Sequence, residues 1–75
     1  MDKKYVMTGH GIIVFPGTFA HSDFSRFKPT SAGFIYFINK EDSTEIEAVC
    51  YGESMSLKLK SHPDDSRKAT VQLCR

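Results

Sequence analysis

Three histidines are the residues of this chain best suited to metal chemistry: His10, His21 and His62. His21 and His62 each precede a nearby aspartate, and an imidazole beside a carboxylate can bind a divalent cation. Their spacing matches no known ligand pattern, however, and all three fall in predicted loops, where a solvated histidine is the simpler interpretation. We therefore predict no metal site and no cofactor.

Two glutamates, Glu45 and Glu47, lie two residues apart, which places both carboxylates on one face of a β-strand. Such a pair could serve as a general acid and base. The hairpin predicted below sets Glu45 opposite Lys60 and Glu47 opposite Lys58, so an exposed ladder of ion pairs is the favoured interpretation. We accordingly predict no catalytic residue and no enzymatic activity.

Aromatic and basic side chains form a second group, which could contact a partner. Its members are Phe24, Arg26, Phe27, Lys28, Phe34 and Tyr36. Rings beside cations can form a stacking platform for single-stranded nucleic acid, as in small β-barrels. The formal net charge is only +1, so no global field attracts nucleic acid or anionic lipid. Packing in the core explains the phenylalanines without any ligand.

The elements that must position these side chains begin with a predicted hairpin in residues 45–60. Residues 45–51 and 54–60 both alternate polar and apolar side chains, the period of a half-buried strand. Gly52 at the first central position favours a type II′ turn, which pairs Tyr51 with Ser54 and Ala48 with Leu57. In this register Cys50 points inward.

Upstream, residues 34–38 are strongly β-prone and lack polar alternation, so both faces of that strand require cover. A loop of four or five residues, starting near Asn39, joins it to the hairpin. The N-terminal residues 3–15 form either one strand bent at Gly9–Gly11 or two short strands joined by a turn there.

Two further segments complete the prediction. Ser22 caps a short helix that runs through Lys28 and stops at Pro29. Lys68–Arg75 forms a last strand, with Ala69, Val71 and Leu73 inward and Cys74 outward, and this strand can be an open edge.

The predicted fold is therefore mainly β, as one small domain over residues 1–75. About five antiparallel strands follow in meander order, as a small barrel or a curled sheet, with one short helix between the first and second strands. The two cysteines are too few for a disulfide scaffold and are predicted to be reduced thiols. Neither a signal peptide nor a long apolar run is present, which favours a cytoplasmic protein without a membrane partner.

The leading functional hypothesis is a small non-catalytic protein–protein interaction module that forms a homodimer through its sheet or binds another protein. It rests on the two-sided apolar strand, the small core and the open edge. The alternative is a small β-barrel that binds single-stranded nucleic acid through the six aromatic and basic residues named above.

Overall fold

The computed structural model describes residues 3–39 and 45–73. Four strands form an antiparallel sheet: β1 (Lys3–Thr8), β2 (Gly11–Pro16), β3 (Ser31–Asn39) and β4 (Ile46–Tyr51). A two-stranded sheet follows, made of β5 (Glu53–Ser54) and β6 (Leu59–Lys60), and then one α-helix, α1 (Asp65–Leu73). The prediction of a mainly β, antiparallel fold is confirmed.

The strand order is β2-β1-β3-β4, so the predicted meander is wrong. β1 and β2 are two short strands joined at Gly9 and His10, which confirms the second of the two N-terminal alternatives. β3 then pairs with β1 rather than with β2, and β4 pairs with β3. The sheet does not close, which excludes the small barrel, one of the two predicted alternatives, and leaves the open sheet.

The predicted hairpin around Gly52 does not form. β4 pairs along β3, with Phe34 opposite Tyr51 and Phe37 opposite Ala48. Gly52 has the expected positive φ of 77°, but the chain continues into β5, and Glu53 pairs with Lys60. The proposed Glu45–Lys60 and Glu47–Lys58 ladder is therefore wrong, and most of the predicted loop after Asn39 lies outside the described residues.

The α-helix lies at the C-terminal end of the described chain and not between the first two strands. Residues 65–73 form α1 where a last strand was predicted, so no open edge exists there, and Cys74 and Arg75 lie outside the described residues. The predicted helix near Ser22 is a 3-10 helix (His21–Phe27) between β2 and β3. Its N-cap is Ala20 rather than Ser22, and the Asp23 carboxylate accepts a hydrogen bond from the Ala20 N–H at 3.2 Å.

α1 covers one face of the sheet and holds both of its edges. Ala69 packs in a core cluster that contains Tyr5, Met7, Ile35 and Ala48. On the edge strand β4, the Ala48 N–H donates to Thr70 Oγ1 at 3.0 Å and the Cys50 N–H donates to Ser66 Oγ at 2.8 Å. On the other edge strand the Ile12 N–H donates to Gln72 Oε1 at 2.8 Å, so the open sheet curls around the helix.

The opposite face of the sheet carries a second core cluster, built on Val6, Phe15 and Ala32. Phe24 of the 3-10 helix covers it from one side, and Leu57 and Leu59 of the β5–β6 segment cover it from the other. Since this cover packs on β1, β2 and the first half of β3, the far ends of β3 and β4 are left exposed on this face.

Candidate binding surfaces

The six residues predicted to contact a partner do not form one surface. Arg26, Phe27 and Lys28 line a cavity at the end of the 3-10 helix. Tyr36 lies on the exposed part of the sheet face described above, Phe34 is half-buried between His21 and Tyr51, and Phe24 packs against the second core cluster. The structure therefore separates the predicted site into a basic cavity, a core contact and an aromatic surface.

Phe24 is a structural residue. Its ring stacks on that of Phe15, with the centroids 4.1 Å apart, and it packs against the second core cluster. Phe15 is itself buried. The interpretation of this side chain as core packing, which the sequence analysis kept open, is the one that the structure supports.

The cavity at the end of the 3-10 helix, which we call the basic cavity, has a volume of about 500 Å³. The turn between β1 and β2 forms one wall, and Arg26, Phe27 and Lys28 form the other. The residues that line the cavity are Thr8, His10, Gly11, Ile12, Ile13, Arg26, Phe27 and Lys28. It therefore combines positive charge, one exposed ring and an aliphatic floor.

Backbone geometry fixes the basic wall of this cavity. The Lys28 N–H donates to the Ser25 carbonyl at 3.0 Å, which closes the last turn of the 3-10 helix. Lys28 then adopts a left-handed conformation with φ 53° and ψ 57°. The following Pro29 disfavours the right-handed helical region for Lys28, so the helix stops and the chain turns at this lysine.

The exposed surface of β3 and β4, which we call the aromatic patch, consists of Tyr36, Ile38, Val49 and Tyr51. The two tyrosine rings meet edge to face at 5.7 Å, and the ring of Phe34 lies 5.7 Å from that of Tyr51. Tyr36 is 48% exposed, Ile38 41% and Tyr51 39%. The sequence analysis predicted that both faces of residues 34–38 need cover. On this face the described chain leaves Tyr36 and Ile38 exposed.

The prediction that all three histidines are solvated is wrong for His21. That side chain is buried, and its Nε2 donates to the Gly33 carbonyl at 2.8 Å. Its ring also packs edge to face between Phe15 and Phe34. Among residues 3–39 and 45–73, no three His, Cys, Asp or Glu side chains are arranged to hold a metal ion.

A buried polar cluster beneath α1 was not predicted. Asp65 is 1% exposed, and its Oδ2 accepts hydrogen bonds from the Tyr5 hydroxyl at 2.6 Å and from the His62 N–H at 2.9 Å. Burial, the hydrogen bond to Asp65 and the charge of Asp65 together raise the pKa of Tyr5 well above its usual range. These contacts anchor the first turn of α1 to the sheet.

Cys50 lies at the edge of this cluster, half-buried against the first core cluster. Burial, with a smaller contribution from the Asp65 carboxylate, raises the pKa of the thiol to about 11. Since the thiolate is the reactive form, we expect alkylation of native Cys50 by iodoacetamide at pH 8 to be at least ~100-fold slower than in urea. Peptide mass spectrometry distinguishes it from Cys74, and equal native and denatured rates at Cys50 would contradict this expectation.

Within the described residues, no helix combines the length and the apolar character needed to cross a bilayer. Comparison with family models, with curated proteins and with solved structures gives no match to this chain.

Proposed function

We propose that this protein is a small non-catalytic protein–protein interaction module that self-associates through the aromatic patch. The observation that carries the proposal is the contiguity of Tyr36, Ile38, Val49 and Tyr51 on one sheet face. Three of these four side chains are more than a third exposed. Monomers seldom leave such a patch uncovered unless it is an interaction site.

Side-chain chemistry favours a second copy as the occupant. The four residues of the patch are uncharged, so a two-fold axis through its centre brings no like charges together there. Tyrosine provides a large apolar area and a hydroxyl that can bond across an interface, and it is enriched at interface centres. Glu47, opposite Ile38 in the register, falls at the rim, where charges cost little.

Sedimentation equilibrium tests the proposal. We expect the measured mass to reach twice the chain mass of 8.5 kDa as the protein concentration is raised to about 100 μM. Tyr36→Lys places a charge in the patch and should return the protein to a monomer. Met55→Lys is the matched control, because Met55 is 85% exposed outside the patch, and it should leave the dimer intact.

Two results would overturn the proposal. One is a parent protein that stays at 8.5 kDa throughout the concentration range. The other is a dimer that Tyr36→Lys leaves unchanged while circular dichroism shows that the variant is folded.

A further inference from the structure

We infer that the basic cavity binds a nucleotide, either free or within a single strand of nucleic acid. This inference is independent of the proposed dimer, because the cavity and the aromatic patch share no residue. It retains the three consecutive residues of the predicted nucleic-acid surface, Arg26, Phe27 and Lys28, and places them in a defined cavity. Phe24, Phe34 and Tyr36 are not part of this site.

Charge is the first argument. Arg26 and Lys28 line the cavity together with His10, and no carboxylate lines it. In the described part of the chain, neither Arg26 nor Lys28 has a carboxylate within 4.0 Å. The protein as a whole is nearly neutral, with a formal net charge of +1, so this concentration of unpaired cations is local. A phosphate group would provide the missing counter-charge.

The exposed ring is the second argument. Phe27 is 42% exposed, and the guanidinium carbon of Arg26 lies over it, 5.0 Å from the ring centroid. Phe27 and Phe24 are stacked with their centroids 6.3 Å apart, and Phe24 in turn stacks on the buried Phe15. The Phe27 ring thus supports the guanidinium from the core side, and the outer face of the guanidinium forms a planar shelf on which a base of any sequence can stack.

The size and the walls of the cavity fit the same ligand. Its volume of about 500 Å³ falls within the range of small-ligand sites, about 300–1,000 Å³. Ile13, which packs on the same sheet face as Phe24 of the 3-10 helix, provides an apolar floor. Arg26 can hold a phosphate through two parallel hydrogen bonds and Lys28 through a point charge. An acidic peptide would satisfy the cations but would make no use of the shelf.

Fluorescence anisotropy with labelled dT10 and rU10 at low salt, together with calorimetry using AMP and ATP, tests the inference. Binding of the oligonucleotides alone identifies single strands as the ligand, and equally tight binding of the mononucleotides identifies free nucleotides. Arg26→Gln should weaken binding about tenfold and should lower the steepness of the salt dependence by about 0.7 for the lost phosphate contact. Phe27→Leu keeps an apolar side chain, removes the ring and should also weaken binding about tenfold.

Lys28 has a matched control elsewhere in the chain. Lys28 and Lys58 are the two non-glycine residues with positive φ in the described chain, at 53° and 56°, and both are exposed. Lys28→Gln should weaken binding, whereas Lys58→Gln makes the same change at the same backbone conformation outside the cavity and should not. Any strain that glutamine introduces is therefore matched between the two variants.

Three results would overturn the inference. The first is no binding of any of the four probes at millimolar protein. The second is equal loss of affinity in Lys28→Gln and Lys58→Gln. The third is binding of a poly-glutamate peptide as tightly as dT10, with no effect of Phe27→Leu, since that would identify a site for anionic peptides.

Discussion

Replacing Gly33 by alanine is expected to lower the free energy of unfolding by about 3 kcal/mol. Gly33 is buried at the centre of the sheet, and a Cβ built there would clash with the backbone carbonyl oxygen of Tyr51 and lie 3.3 Å from the Gly52 carbonyl carbon. These are backbone atoms, so no side chain can rotate to make room. The Gly33 carbonyl also accepts the hydrogen bond from His21, so a shift of β3 would disturb that contact too.

Gly9→Ala is the matched control, because nothing lies within 4 Å of a Cβ at Gly9 and its φ is not in the left-handed region. It should change the free energy of unfolding by less than about 0.5 kcal/mol. Urea unfolding followed by circular dichroism, at one fixed protein concentration, measures both variants. If Gly33→Ala were as stable as Gly9→Ala, that result would contradict the close approach of the Tyr51 carbonyl oxygen to Gly33.

The sequence identified β3 and the N-terminal strands because their signals are local. Residues 34–38 are β-prone throughout, and Gly9 and His10 form the two-residue turn between β1 and β2. The partners of β3 were not predictable in the same way. A strand without polar alternation does not show which strands will pair with it. The pairing of β3 with β1 and β4 depends on how the whole chain packs around its two core clusters.

The false hairpin after Gly52 has a local physical cause. Serine hydroxyls compete for backbone groups, and Ser54 Oγ accepts a hydrogen bond from the Leu57 N–H at 3.2 Å. This bond folds residues 55–58 into a turn, with Lys58 left-handed and Met55 exposed. The alternation in this segment was real, but only Leu57 and Leu59 use it, to cover the second core cluster.

The alternation of Ala69, Val71 and Leu73 with polar residues predicts a strand over residues 68–75, where the structure has the end of α1. The competing helical pattern places Asp65 beside Ala69 and Ser66 beside Thr70, four residues apart, and these are the side chains that contact the sheet. Val71 and Leu73 are 51% and 43% exposed, so only Ala69 of the three residues predicted to point inward is buried. Pro63 followed by two aspartates was the overlooked signal for a helix start.

The candidate sites follow the same division between local and long-range information. Arg26, Phe27 and Lys28 are consecutive, so their proximity was given by the chain itself. The aromatic patch required the β3–β4 register, which brings Tyr36 to Tyr51. The Tyr5–Asp65 contact joins residues sixty positions apart, and no periodicity connects them.

Replacing Asp65 by alanine is expected to lower the free energy of unfolding by about 3 kcal/mol. The variant leaves the buried Tyr5 hydroxyl and the His62 N–H without their shared acceptor. Arg67→Ala is the control, because Arg67 is an exposed charged residue of the same helix and lies outside this buried cluster. It should cost less than about 0.5 kcal/mol.

A double-mutant cycle separates the hydrogen bond from other effects of the substitution. Tyr5→Phe removes the hydroxyl and should cost about 2 kcal/mol, because a buried carboxylate loses a donor. The double variant Tyr5→Phe/Asp65→Ala should be more stable than the sum of the single changes predicts, since the bond can be lost only once. Additive costs would mean that the 2.6 Å contact contributes nothing to stability.

The same pair predicts how stability depends on pH. Burial and the contact with Asp65 raise the pKa of Tyr5 in the folded protein above the ~10 of an unfolded tyrosine. Folding therefore favours the neutral phenol. The contribution of Tyr5 to the free energy of unfolding is complete below pH ~10 and is lost as the pH rises beyond that value. Cys50, with a folded pKa of about 11, acts in the same direction from about pH 9 upward.

Urea unfolding of a Cys50→Ala parent, with and without Tyr5→Phe, at pH 8 and pH 11 isolates the contribution of Tyr5, because the Cys50 thiol that contacts Tyr5 is absent from both proteins. The parent should lose more stability between the two pH values than Tyr5→Phe, so that the stability difference between them narrows at pH 11. A stability difference that is the same at both pH values would mean that Tyr5 has the same pKa in the folded and unfolded chains. That result would contradict the burial of Tyr5 under α1 and its hydrogen bond to Asp65.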